Sequence, residues 1–172
     1  LMEQARWDQA TLSTRKGGLG LRQLAAHCSA AYLAPRSSCH KLCQELDPHH
    51  VWEAATHGSA TPLAVTHFND HVQTEDRVLT HVPEAVRQKV PSDALDKYTL
   101  SRLADPAHAC LTRQAHLELV SSGDGEWLHA APSPACNNHV DPTLYVTMLP
   151  TWLRLPLADE EYYCVCDGVV DR

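Results

Sequence analysis

The chain has 172 residues, 44% of them apolar, and a formal charge of −7 with its 12 histidines neutral. That length suits one domain with a real core or two small ones. The lack of about 18 consecutive apolar residues, or of a charged-then-apolar leader, argues against a membrane protein and for an intracellular one, nuclear or cytoplasmic. Isoleucine is absent and phenylalanine occurs once, so leucine and alanine must build the core, a composition that leans helical. Seven cysteines in an intracellular setting are expected to be reduced thiols. Leu1 ahead of Met2, and an end at Arg172 just behind a cysteine pair, predict a piece of a longer protein.

In chain order, Leu21, Leu24, Ala25, Cys28, Ala31 and Tyr32 recur at helical spacing. They predict a helix from about residue 20 to Ala34 that Pro35 closes, and a second runs from Ser37 or Ser38 to Leu46. Four dipeptides, Asp47-Pro48, Thr61-Pro62, Asp105-Pro106 and Asp141-Pro142, carry the signature of a helix start. In each, an oxygen side chain caps an orphan amide and proline stands where no amide is needed.

They predict a helix over 48–57 ended by Gly58, and one from Thr61 through Leu63, Phe68 and Val72. A third starts at Pro106 with a stripe of Ala107, Cys110, Leu111 and Leu117. The last starts at Pro142, is lined by Leu144, Tyr145, Met148 and Trp152, and is kinked or ended by Pro150. Pro83 and Ser92 open two shorter helices, and Trp127, Leu128 and Pro132 a packed turn. Ser121-Ser122-Gly123-Asp124-Gly125 is the clearest linker. The expected fold is all-α, an irregular array of short helices with an extended C-terminal tail. Its expected division is a helical domain over 1–120, then linker, short helices and a truncated cysteine knuckle over 121–172.

Charge is uneven: residues 1–43 carry a net +4 and the remainder −11. Nucleic-acid phosphates would therefore meet the N-terminal quarter. Gly17, Gly18 and Gly20 lie there beside Arg15 and Lys16, but Lys16 precedes the glycines, unlike the lysine of a phosphate loop. They predict a tight turn using positive φ and close backbone approach; the alternative is free amides touching phosphate.

Cys39, His40 and Cys43 with His49 or His50 have loose zinc-ligand spacing. His67 and His71 stand four apart, but "HFNDH" lacks the glutamate of H-E-x-x-H hydrolysis and reads as a solvated face. Cys164 and Cys166 form a C-x-C pair that could share a metal, with two further ligands needed from elsewhere.

Three stretches in order, "WDQATLSTRKGGLGLRQLAAHCSAAYLA" at 7–34, "GEWLHAAPSPACNNHVDPTLYVTMLPTWLRLPL" at 125–157 and "CVCDGVVDR" at 164–172, resemble one family. They look like the region of non-LTR retrotransposon polyproteins that follows the reverse-transcriptase fingers, palm and thumb and precedes a zinc knuckle and endonuclease. Gly17-Gly18-Leu19-Gly20-Leu21-Arg22 looks like the signature that opens that helical connector. Ser13 stands where the family usually has proline, and Tyr163 where the first knuckle cysteine would align.

The resemblance implies a non-catalytic connector, since the paired aspartates that hold a polymerase's metal ions are absent: the chain has no Asp-Asp pair. It implies no cofactor in this piece, with zinc belonging to the full-length parent, where Cys164 and Cys166 would be ligands. The expected partners are RNA or DNA backbone, met by Arg15, Lys16 and Arg22, and neighbouring domains of the same polyprotein, with no membrane. The rival expectations are a free-standing helical interaction module with an acidic face from about residue 44, or a decayed element without function.

Overall fold

A computed structural model describes residues 4–52, 59–78, 87–122, 128, 135 and 141–155. Among them the chain is all-α: α1 (Gln4–Thr11), α2 (Leu24–Leu46), α3 (Ala60–Asn69), α4 (Lys89–Leu103), α5 (Leu111–Ser121) and α6 (Pro142–Leu153), with 3-10 turns at Thr14–Lys16 and Thr74–Asp76 and no strand. No described helix is long and apolar enough to cross a membrane. The tail beyond residue 155, the region 53–58 and the start at Pro83 lie outside the described residues, as do Trp127 and Pro132.

The helices fall into two compact units, and the division differs from the expected break near residue 121. One unit takes the described residues of Leu1–Leu21 and Pro106–Arg172; the other is Arg22–Asp105. The break thus falls inside the Gly-Gly-Leu-Gly-Leu-Arg segment.

In the Arg22–Asp105 unit, α2 packs on α3 and α4. Ala30 and Leu33 of α2, Val65 and Phe68 of α3, and Ala94 and Leu95 of α4 bury one another together with Trp52 and Val72. The expected stop at Pro35 fails: α2 runs through it for 23 residues. Proline inside a helix loses one backbone bond and costs about 3 kcal/mol. Here its ring is exposed, while Ala30, Leu33, Ala34 and Ser37 on both sides of it stay buried on one face. Burying a leucine returns about 1.5–3 kcal/mol, so continued packing outweighs the break.

Of the four proposed helix starts, only Asp141-Pro142 caps as expected, the Asp141 carboxylate accepting the Thr143 amide at 2.8 Å. Pro150 lies inside that helix, which continues to Leu153. Asp47 instead ends α2, and its carboxylate accepts the His49 amide at 3.0 Å to close a local turn. Thr61 lies inside the first turn of α3, fully buried, its hydroxyl bonded to the Tyr32 hydroxyl at 3.2 Å. After Asp105-Pro106 the chain makes a turn, and α5 begins only at Leu111. Of the expected stripe there, Leu117 is buried while Ala107, Cys110 and Leu111 are exposed. α4 starts at Lys89, three residues before the expected Ser92.

In the other unit, α1 packs on α6, and α5 packs on the turn Thr14–Lys16. Ala10, Leu12, Leu117, Val120 and Leu153 are its main buried apolar side chains. Leu144 and Tyr145, expected on the inner face of α6, are exposed, and Trp152 and Leu153 at the helix end turn inward.

Candidate functional site

The glycine segment is a knot of backbone bonds. Lys16 and Gly18 donate their amides to the Ser13 carbonyl at 2.9 and 3.1 Å, and Gly17 donates to Thr14 at 3.2 Å. Leu19 and Leu21 both donate to Ala10, at 3.1 and 3.2 Å, and Gly20 donates to Leu12 at 2.8 Å. Every amide from Lys16 to Leu21 is thus spent within the fold. The alternative of a phosphate cradled by free amides is overturned, and the tight turn is what the segment makes.

The glycines serve that turn in different ways. Gly17 and Gly20 hold φ of +81° and +73°, the left-handed region that side chains disfavour. Gly18 instead lies so close to the Gln9 and Leu12 carbonyls that no Cβ fits.

The Gly17 carbonyl is the centre of a second network. It accepts the Gln9 side-chain amide and the Trp152 indole N–H, both at 3.0 Å. The Trp152 carbonyl in turn accepts from Gln9 at 3.3 Å and from His116 Nε2 at 2.9 Å. A carbonyl can only accept, so His116 carries its proton on Nε2. Gln9, Gly17, Trp152 and His116 thus fasten α1, the glycine turn, α5 and α6 into one body.

Burial, first, pulls the His116 pKa below its ordinary 6.5; the bond to Trp152 opposes this, and Arg113 and Arg154 add to the lowering. The unfolded chain therefore binds the proton more readily than the folded one. Stability is fully present above about pH 6.5 and is lost as pH falls through the depressed folded value. His27 in the other unit shifts the same way, by burial and then by Arg22. Replacing His116 with Gln, which keeps a donor, should flatten the drop in thermal midpoint between about pH 7.5 and pH 5.5. A variant with an unchanged pH slope would remove His116 from that dependence.

The three expected cationic contacts separate. Arg15 is exposed and Lys16 half-buried, both on the turn ahead of Gly17. Arg22 instead binds Asp96 of α4 at 2.5 Å, with His27 Nε2 3.1 Å from the same guanidinium nitrogen. Asp96 is 2% exposed. Arg22 thus holds an interior carboxylate, a role with no local signature, since its partner lies 74 positions away. Nor did any local signal mark Gln9 or His116; Trp152 alone carried one, a large ring with a polar N–H that needs a partner when buried.

The expected metal candidates do not assemble where they are described. His40 and His50 do come together, with ring centroids 5.3 Å apart, and His40 also meets Trp52 edge-on at 5.8 Å, but Cys39 and Cys43 are free thiols that do not complete a site with them. Among the described residues no group of three His, Cys, Asp or Glu could hold a metal ion. Cys164 and Cys166 lie outside the described residues. No family model, curated protein or solved structure matches the chain.

Proposed function

We propose that the chain is a non-catalytic helical connector from a non-LTR retrotransposon-type reverse transcriptase polyprotein. It places the downstream zinc knuckle and endonuclease relative to the polymerase, and Arg15 and Lys16 touch the backbone of RNA or DNA. The observation that carries this reading is the bond from the Trp152 indole to the Gly17 carbonyl, across 135 positions. It joins the first and second stretches of the resemblance within one packed unit, which supports reading them together.

The Ser13 departure from the family pattern does not oppose it. Ser13 sits at φ −59°, the angle a proline ring imposes, so the backbone here keeps the conformation that the family's residue would fix. Two adjacent cations on one turn, Arg15 exposed and Lys16 half-buried, suit contact with phosphates in any sequence context.

Fluorescence anisotropy of the full chain with labelled single-stranded RNA and duplex DNA, across a range of salt, tests the contact. Wild type should bind weakly and lose affinity as salt rises. Reversing Arg15 and Lys16 to glutamate should weaken binding to both and lower the salt slope by about two. Unchanged binding and slope in that variant, or no binding by wild type at low salt, would overturn it. Arg22 is left intact, because a glutamate there would face Asp96 and disturb the fold.

A further inference from the structure

His67 in the last turn of α3 and His71 in the turn just beyond its end are half-buried where a solvated face was expected, with ring centroids 4.5 Å apart and planes tilted by 33°. Each ring is held by its Nδ1 atom. His71 Nδ1 lies 2.7 Å from the His67 carbonyl, which can only accept, so that nitrogen carries the proton and Nε2 keeps its lone pair. His67 Nδ1 lies 2.8 Å from the hydroxyl of Ser29, a buried residue of α2 that can accept the same proton. The helix end beneath them is fixed too: Asn69 accepts the Val78 amide at 2.9 Å and donates to the Val78 carbonyl at 3.2 Å.

An imidazole whose Nδ1–H is held by an oxygen, leaving Nε2 bare, is the arrangement by which proteins orient a metal-ligating histidine. One helical turn apart and with centres 4.5 Å apart, the two rings are close enough for one ion to lie about 2.0–2.1 Å from an Nε2 of each, once His67 donates its Nδ1–H to the Ser29 hydroxyl. We propose that His67 and His71 form a two-imidazole site for a divalent first-row transition ion of the zinc, nickel or copper type, bound through both Nε2 atoms. Imidazole pairs favour these ions over magnesium or calcium, which take oxygen ligands. No third His, Cys, Asp or Glu among the described residues joins the pair, so the remaining coordination positions belong to water. The site lies in the Arg22–Asp105 unit and does not depend on the nucleic-acid reading.

The test is a Zn2+ titration of the full 15N-labelled chain, followed at the imidazole nitrogens. Thiols also take zinc, so the readout must be atom-specific. The Nε2 signals of His67 and His71 should move together with one midpoint. His71→Ala, a change at a half-buried ring whose folding is checked by circular dichroism, should raise the Zn2+ concentration that shifts His67 by about tenfold or more, because the second ligand no longer acts within the same molecule. Signals that move at different concentrations or stay still, or a His67 midpoint unchanged in the variant, would overturn the site.

Discussion

Gly18→Ala is expected to be the most damaging single methyl group that can be added to this chain. Its Cβ would meet the Leu12 carbonyl oxygen at less than contact distance and the Gln9 carbonyl oxygen at 2.6 Å. Both are backbone atoms of the segment that α1 and its continuation hold in place, so neither can swing aside as the tip of a side chain would. Overpacking against a fixed neighbour costs about 1–3 kcal/mol, and more where backbone must shift; a loss of about 3 kcal/mol or more is expected here, read as a lower urea midpoint of the full chain.

The neighbouring glycines grade the effect. An alanine at Gly17 would collide with the Val120 side chain and force a φ of +81°, while Gly20 has nothing within 4 Å and only its φ of +73° to defend. Gly20→Ala should therefore cost about 1–2 kcal/mol, the ordinary penalty of a left-handed residue. If Gly18→Ala proved as mild as Gly20→Ala, the close approach to Leu12 would be wrong.

The second large effect belongs to Arg22. Losing the guanidinium removes a charge-assisted bond from Asp96, a carboxylate only 2% exposed, whereas the Arg22 side chain is 38% exposed. Breaking a fully buried ion pair costs about 3–5 kcal/mol, and exposure of one partner lowers that. Arg22→Ala should thus destabilise by about 2 kcal/mol in urea. The paired change Arg22→Met with Asp96→Leu should cost less than the two single changes added together, because it removes both charges at once. An Arg22→Ala chain as stable as wild type would show that water serves Asp96 equally well.

These two sites show where the sequence is readable. The glycine segment announced a tight turn because φ and close approach are local demands, and Asp141-Pro142 announced a helix because its cap is closed by the next turn. The same dipeptide at Asp47-Pro48 made a turn after a helix, since an aspartate oxygen serves a local amide equally well in either setting. Pro35 misled because packing of Leu33, Ala34 and Ser37 against the unit's core decided the matter, and that packing comes from α3 and α4. Arg22 read as a free cation for the same reason: Asp96 has no signature that points back across 74 positions. Gln9, His116 and Trp152 became a site only when distant segments met.

The order of those segments along the chain also constrains how the protein comes to exist. Arg22–Asp105 is one unbroken stretch, whereas its companion needs Gln9 and Gly17 from the beginning and Trp152 from near the end. During synthesis the inserted unit has all its partners long before the outer one does. The first helix must wait, with Ala10 and Leu12 uncovered, until α5 and α6 have been made. Once the insert is compact, it draws residues 22 and 105 closer than a loose chain would, and so reduces the entropy lost in closing the outer unit.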